Sequence, residues 1–302
     1  MTKKLFAVLL IAMTATAASA QLLYKVSGNG LDYPSYILGK HELANVGVLY
    51  KISGLNKAIL ETDQVYGEMA WNSITNPDSL KALKQGGKLT GGKTLKTVLT
   101  DEQYNKLDDF LIKKEGVGLA SATVNKKYGD MTPAALALQL NVLLYQLNHL
   151  GEYDPTSSFD QYVQAIAKKN SMPICGFEDI PYQVQLLYQG APMDKQVAQL
   201  MCVVNNADAV AANLEAVMKA FKAQDLDALL AATIAKISDS CYSTDADLDA
   251  LIYARNAAWA AQMPAIMESK STFFTLSAEH LPGSKGVLQL LKDAGYTVEA
   301  VQ

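Results

Sequence analysis

Phe273-Phe274-Thr275-Leu276 runs into Ser277-Ala278-Glu279-His280 near the end of the chain, and Tyr36-Ile37-Leu38 runs into Gly39-Lys40-His41-Glu42 near its start. Each segment is a short apolar run of β-forming residues, followed by a small residue and then by a His and a Glu side by side. Open α/β sheets place polar functional side chains at the ends of their strands in this way. The pair therefore predicts an α/β fold in which two strands far apart in sequence end at a common site.

Most of the other strand patterns also lie near the two ends of the chain. Leu22–Ser27 alternates as a strand, and Gln64–Met69 is a strand that carries Glu68 at its end. The last strands must return to the sheet that the first strands begin. We therefore predict one α/β domain over residues 21–302, with a discontinuous mixed sheet of N- and C-terminal strands and a large helical insertion at about residues 100–250.

Helical patterns fill the middle of the chain. Capping residues mark the starts of three helices, which are predicted over residues 101–115, 132–149 and 158–170. Val46–Leu60 also has helical spacing. Two Ala-rich segments, 194–223 and 225–238, predict a long helical hairpin that reverses near Gln224-Asp225.

The chain has three cysteines, Cys175, Cys202 and Cys241. In an exported protein an odd count indicates one disulfide and one free thiol. We expect Cys202 to pair with Cys241, because both lie at the outer ends of the predicted hairpin. Cys175 lies in an apolar run without a local His or cation, so we interpret it as a buried strand thiol.

The first twenty residues have the pattern of an export signal. Lys3 and Lys4 precede the apolar stretch Leu5–Met13, and Ala18-Ser19-Ala20 forms a cleavage site before Gln21. The alternative is a retained amphipathic anchor, although no second basic flank follows. The sequence therefore predicts a protein that is exported and is periplasmic or secreted.

Charge and hydropathy exclude two classes of partner. Removal of residues 1–20 takes away two lysines, so the formal charge moves from −4 to −6. No basic run is interleaved with aromatic residues, which argues against nucleic acid. After the signal, no segment approaches the ~20 apolar residues that a stable membrane span needs.

Arg255 is the only arginine in the chain, which otherwise uses lysine for its basic residues. A planar and permanently charged guanidinium is suited to holding a carboxylate or an oxyanion. The alternative is one surviving surface arginine in a chain of drifted composition. His149 lies at a predicted helix end, where a cation favours the dipole, and we interpret it as structural.

Several segments spread along the chain together match the pattern of a known protein family. These segments are Leu23–Gly28, Pro34–Gly39, Gly67–Met69, Phe159–Tyr162, Gly176–Glu178 with Gln183, and a closing run that begins at Arg255-Asn256 and Trp259, continues through His280–Gly283 and ends at Val298. Together they resemble the TraB/PrgY/GumN family, which includes the animal TIKI proteases and is related more distantly to the erythromycin esterases and ChaN-like proteins. The resemblance covers essentially the whole mature chain. It implies an α/β fold of the erythromycin esterase/ChaN type.

The resemblance also implies a set of site residues. The family signature consists of two Gly-x-x-His motifs, an acidic residue after the second strand and an Arg ahead of the final motif. Carried over by position, these fall on Glu42, Glu68, Arg255 and His280. The chain departs from the signature twice, because Glu42 stands in place of the first His and Ser277 in place of the second Gly.

Two functional hypotheses follow from the resemblance. The first is a hydrolase, of the peptidase kind, acting on a peptide or a small molecule. His41, Glu42, Glu68 and His280 would hold a divalent metal (Mn, Co or Zn) and an activated water, and Arg255 would stabilise negative charge. In a metal-free version a His acts as the base, and Glu42 in its place is a weaker base. The second hypothesis is a degenerate relative that binds a peptide or other ligand without turnover.

Overall fold

The structure is a computed structural model that describes residues 21–70, 76–154 and 157–302. The predicted signal, residues 1–20, lies outside the described residues. The described strands form one six-stranded sheet in the order β4-β3-β5-β2-β1-β6. The strands are β1 (Leu23–Ser27), β2 (Ser35–Lys40), β3 (Gln64–Gly67), β4 (Ile174–Gly176), β5 (Thr272–Ser277) and β6 (Thr297–Ala300).

The sheet is mixed, as the sequence predicts. Strands β4, β3, β5 and β2 are mutually parallel, whereas β1 is antiparallel to both β2 and β6. The C-terminal strand β5 lies in the middle of the sheet between β2 and β3, and it pairs Leu276 with Gly39 and Ser277 with Lys40. The α/β fold with a sheet built from both ends of the chain is therefore confirmed. The edge strand β4 comes from within the stretch that we predicted as the insertion.

Helices account for most of the remaining chain. They are α1 (Leu55–Leu60), α2 (Pro77–Gly86), α3 (Leu95–Val98), α4 (Asp101–Glu115), α5 (Ala122–Tyr128), α6 (Pro133–Asn148), α7 (Phe159–Lys169), α8 (Ile180–Val184), α9 (Met193–Asn205), α10 (Ala207–Lys222), α11 (Leu226–Thr233), α12 (Asp245–Leu248), α13 (Ala254–Ser269) and α14 (Val287–Asp293). Side chains of Thr100, Thr132 and Ser158 cap the starts of α4, α6 and α7, as predicted. A π-helical turn, Asp249–Tyr253, joins α12 to α13.

Two helical predictions were wrong in detail. Val46–Leu60 is split into a 3₁₀-helix (Val46–Lys51) and α1, because Gly54 adopts a left-handed conformation with φ +71° between them. The first arm of the hairpin breaks at Asn206, whose φ of −123° and ψ of 31° interrupt the helix between α9 and α10. The second arm ends at Thr233, well short of residue 238.

The predicted disulfide is present although its expected setting was wrong. Cys202 lies on α9 and Cys241 follows a tight turn closed by hydrogen bonds with Ser238. The two Cα atoms are 5.0 Å apart, within the usual range for a disulfide. Cys175 is a free thiol on β4, as predicted, but it is half-buried rather than fully buried.

The core has two parts. One set of buried apolar residues packs around the sheet and includes Ile37, Trp259, Phe273 and Phe274. A second set lies among the helices of the middle of the chain, where α4, α6 and α9 meet. Within the described ranges, every helix falls short of the length and apolar content that crossing a bilayer requires.

Candidate functional site

Polar residues converge where the parallel strands end. Lys40 is the last residue of β2, Ser277 is the last residue of β5, Glu68 follows β3 directly and Glu178 lies two residues beyond β4. Because these four strands are parallel, their carboxyl ends share one edge of the sheet. This is the edge at which open α/β sheets place their ligand sites.

Glu68 occupies the centre of this cluster. Its Oε1 accepts hydrogen bonds from the backbone N–H of Ser277 at 2.7 Å and from its hydroxyl at 2.6 Å. Its Oε2 accepts from Arg255 Nη2 at 2.9 Å, and Lys40 Nζ lies 3.8 Å from Oε1. Burial alone would raise the pKa of Glu68, but the nearby cations and the Ser277 hydrogen bond outweigh it and hold the pKa well below its usual range. Glu68 is therefore an ionised carboxylate and a weak base.

Arg255 donates all five of its N–H groups to acceptors within the protein. Nε and Nη2 form a fork on Glu178 at 2.8 and 3.0 Å, and the second N–H of Nη2 reaches Glu68. Nη1 donates to the Leu251 carbonyl at 3.0 Å and to His280 Nε2 at 3.0 Å. The side chain is only 8% exposed and stacks over Trp259, with Cζ 4.6 Å from the ring centroid. Since a guanidinium has five N–H groups, the hydrogen-bonding capacity of Arg255 is filled.

His280 is held as a neutral ring in one tautomer. Asn256 donates its amide N–H to the Lys285 carbonyl, so its Oδ1 faces His280 Nδ1 at 2.6 Å. Nδ1 must therefore carry the proton, and Nε2 accepts the hydrogen bond from Arg255. Burial lowers the pKa of His280 to about 4, to which Arg255 also contributes. With 2% of its surface exposed, His280 meets solvent hardly at all.

Glu178 is a second buried acid that the sequence predictions did not assign. Besides the two hydrogen bonds from Arg255, it accepts one from Trp259 Nε1 at 3.0 Å and one from the Gln183 amide. Each carboxylate oxygen thus receives two donors. Glu178 fixes the guanidinium plane, and Arg255 in turn positions Glu68 and His280.

A second group of charges surrounds Lys40 beside this network. Lys40 Nζ forms ion pairs with Glu42 and, at 3.0 Å, with Asp160 Oδ2 at the start of α7. Asp160 also accepts a hydrogen bond from the Thr275 hydroxyl at 2.9 Å. Burial would lower the pKa of Lys40, but the three carboxylates of Asp160, Glu42 and Glu68 raise it well above its usual value. Lys40 is therefore a buried and permanently charged ammonium.

The His41 ring contacts an aromatic side chain and a neighbouring backbone N–H. Its ring packs against Phe221 with centroids 5.5 Å apart, and its Nδ1 accepts the backbone N–H of Leu43 at 3.2 Å. Burial lowers the pKa of His41 to about 4. Glu279, next to His280, is half-buried, and burial raises the pKa of its carboxyl to about 7. His149 lies at the end of α6 and contacts Glu152 and Glu215, consistent with a structural role.

The comparison with protein-family models shows to which family the chain belongs. The model of the TraB/PrgY/gumN family matches residues 22–300. The chain belongs to this family. No curated protein and no solved structure matches it.

The structure brings together some of the site residues predicted for this TraB/PrgY/gumN family member. Arg255 forms direct hydrogen bonds with both Glu68 and His280. Glu42 joins them indirectly through Lys40, with its own side chain 64% exposed. The ring of His41 packs against Phe221.

Sequence reasoning assigned no site role to the partners that complete the network, which are Lys40, Asp160, Glu178, Asn256, Trp259 and Ser277. Asp160, Glu178, Asn256 and Trp259 lie inside the segments that carry the family resemblance, whereas Lys40 directly follows one of them and Ser277 replaces a glycine of the signature. For the first four residues, the available signal was their position in matching segments, together with their acidic or hydrogen-bonding side chains. The contacts themselves join positions up to 209 residues apart, and local sequence patterns do not reveal them.

The arrangement does not fit a divalent metal as the side chains stand. Glu68 Oε2 and His280 Nε2 both face the guanidinium of Arg255, and the remaining carboxylates face the ammonium of Lys40. Among the described residues, no group of three or more His, Cys, Asp or Glu side chains is placed to hold a metal ion. The metal set of His41, Glu42, Glu68 and His280 stays a prediction.

Proposed function

We propose that this protein binds a peptide or another small ligand at the strand-end cluster without turning it over. The observation that carries this proposal is the hydrogen-bonding state of Arg255 and His280. All five N–H groups of Arg255 and both ring nitrogens of His280 have partners inside the protein. A hydrolase of the family type would need these groups free for a water, a metal or an oxyanion.

Catalysis by the family residues would demand specific geometry. A general base must reach the proton that it abstracts, and donors for an oxyanion must point to where negative charge develops. The lone pair of His280 Nε2 instead points to Arg255, in a ring that is 2% exposed. At the first motif, Glu42 is paired with Lys40. These contacts favour a site that has kept the architecture of the family and lost its chemistry.

The groups that face solvent indicate what kind of ligand would bind. Glu42 is exposed and Asp160 is half-buried, and both pair with the single ammonium of Lys40. Carboxylates outnumber cations on this surface, so a ligand with a cationic group is favoured. A peptide amino terminus or a basic side chain has this chemistry.

Affinity selection from a peptide library tests the proposal. We expect the purified protein to retain basic peptides intact, and we expect Glu42→Gln to weaken their binding. Glu61→Gln is the matched control, because Glu61 pairs with Tyr36 near the opposite end of β2. Cleavage products that disappear in a Glu68→Gln variant would show instead that the protein is a hydrolase.

A hydrolase is the second candidate, and one observation favours it. Glu68, Arg255 and His280 meet at the carboxyl end of parallel strands, where α/β enzymes place their catalytic groups. A carboxylate of the Lys40 group would then have to activate the water. Glu42→His separates the candidates: a gain of peptide hydrolysis marks a lapsed enzyme, whereas loss of a wild-type activity shows that Glu42 already serves in catalysis.

We also propose that the protein is exported, as residues 1–20 predict. The Cys202–Cys241 disulfide supports this, because disulfides persist mainly in oxidising compartments. Cell fractionation followed by sequencing of the amino terminus is the test. A mature chain that begins at Gln21 outside the cytoplasm is the expected result, and a cytoplasmic chain that keeps residues 1–20 would contradict it.

A further inference from the structure

Lys40 is the one charged residue of β2 and one of the most buried charged residues at the site. Only 5% of its surface is exposed, although it lies at the strand end where a ligand would bind. Lysine is rarely buried in this way unless its charge is paired. The family resemblance gives this position no role.

Three carboxylates from three separate parts of the chain surround the Lys40 ammonium. Glu42 lies two residues further along, Asp160 Oδ2 at the start of α7 is 3.0 Å away, and Glu68 Oε1 beyond β3 is 3.8 Å away. An ammonium has three N–H donors and no acceptor, so it suits a setting of carboxylates alone. Oxygen-rich carboxylate groups of this kind are also what divalent ions bind.

We propose that Lys40 is the resident cation of this site and stands where a family-type site would hold a divalent metal. The Lys40 ammonium balances the negative charges of Glu68, Asp160 and Glu42. On the other side of Glu68, the guanidinium of Arg255 also balances the charge of that carboxylate. A divalent ion would have to displace one cation and would be repelled by the other. This inference does not rest on the proposed function, since the Lys40 contacts are the same whether or not the protein turns over a ligand.

Measurement of metal content after loading tests the proposal directly. Wild type, Lys40→Met and the control Lys88→Met are each loaded with Mn²⁺, Co²⁺ or Zn²⁺, washed and analysed by elemental mass spectrometry. Lys88→Met removes an exposed lysine that is paired with Asp130 at 2.6 Å. This control therefore loses the same charge as Lys40→Met, but at a position away from the site. We expect wild type and Lys88→Met to retain no stoichiometric ion, and Lys40→Met to gain one that also raises its Tm.

Two results would overturn the proposal. One is a stoichiometric ion in wild type that is lost in Glu68→Gln, because the site would then hold a metal beside Lys40. The other is a folded Lys40→Met protein that gains no ion. An ordinary buried ion pair would give this second result, since its loss destabilises the fold without creating a metal site.

If the Lys40→Met protein unfolds, the cause is the three carboxylates that are left without their cation. In that case the variant is refolded with and without Mn²⁺, and Lys40→Arg is measured in parallel. Recovery of folded protein only with the ion supports the proposal, and equal failure in both conditions overturns it. Lys40→Arg keeps a cation in place, so we expect it to fold without metal and to bind none.

Discussion

At the scale of single residues, the site explains why this chain keeps one arginine. Arg255 serves five acceptors in fixed directions, including both oxygens of Glu178. Lysine offers three donors from a single atom and cannot form this planar fork. Arg255 is therefore a buried positioning residue whose donors are already used, and not the surface arginine of the alternative interpretation.

Arg255→Lys should destabilise the protein by about 2–4 kcal/mol, because at least two buried acceptors lose their donors. Chemical denaturation of the purified variant measures this change in the free energy of unfolding. Lys88→Met is the control, and loss of its exposed ion pair should change the free energy by only ~0–1 kcal/mol. Equal stability of Arg255→Lys and wild type would refute the assigned network.

The sequence identified the members of this network better than their roles. Glu68, Arg255 and His280 could be predicted because each stands at a family position near a strand end or a helix. Their roles could not, because the state of Arg255 depends on Glu178 and on the Leu251 carbonyl. Only the folded chain brings these acceptors to the guanidinium, so a role for Arg255 in stabilising substrate charge was a reasonable prediction that the contacts do not favour.

At the scale of elements, the ends of β3 and β4 carry the two acids that face Arg255. The pairing of these strands continues past their ends, with Phe177 N–H donating to Gly67 O at 3.2 Å and Glu178 N–H donating to Glu68 O at 2.9 Å. Gly176 permits this approach, because a Cβ there would lie 2.4 Å from the backbone N of Ala70. The glycine thus sets the spacing of Glu68 and Glu178.

Gly176→Ala should destabilise the protein by about 1–3 kcal/mol, because the added methyl group meets backbone atoms that cannot rotate away. Thermal or chemical denaturation measures the loss. Gly87→Ala is the control, since φ there is −80° and the nearest atom to an added Cβ is a side-chain carbon at 3.3 Å. A Gly176→Ala protein no less stable than Gly87→Ala would show that the two strand ends are not so closely packed.

The starts of helices could be predicted from the sequence where a capping side chain fixes them. The caps at Thr100, Thr132 and Ser158 were predicted because a side chain and a backbone N–H three residues apart make the contact. The break at Asn206 was not predicted, because the helical spacing before it and the Ala-rich sequence after it favour one continuous helix. Tertiary packing of α9 and α10 overrides that local preference.

At the scale of the whole molecule, the disulfide ties α9 to the segment between α11 and α12. Cys202 and Cys241 are 39 residues apart in sequence, so the crosslink restricts a substantial loop of the unfolded chain. Replacement of both by Ser should lower the free energy of unfolding by about 2–4 kcal/mol. Denaturation of the oxidised protein and the double variant tests this, with Cys175→Ser as the control for loss of a free thiol. If mass spectrometry verifies the disulfide and the double variant is still as stable as the oxidised protein, the predicted stabilisation by this crosslink is contradicted.

The topology of the whole chain was predictable in outline. Strands at both ends of the sequence required a discontinuous sheet, and the parallel placement of β5 between β2 and β3 is what brings the two opening motifs to one edge. The two motifs differ in outcome. His280 enters the buried network, whereas at the first motif Lys40 lies inside, Glu42 remains exposed and His41 turns to Phe221.

The central claim is that the site is closed by its own hydrogen bonds and ion pairs, and the imidazole of His280 tests it most directly. Nitrogen-15 NMR of a His41→Gln, His149→Gln variant with labelled histidine leaves His280 as the single reporter. We predict a neutral ring at pH 7 with its proton on Nδ1, and an Nε2 resonance that does not move when Zn²⁺ is added. A proton on Nε2, a charged ring, or a Zn²⁺-dependent shift of Nε2 would contradict it.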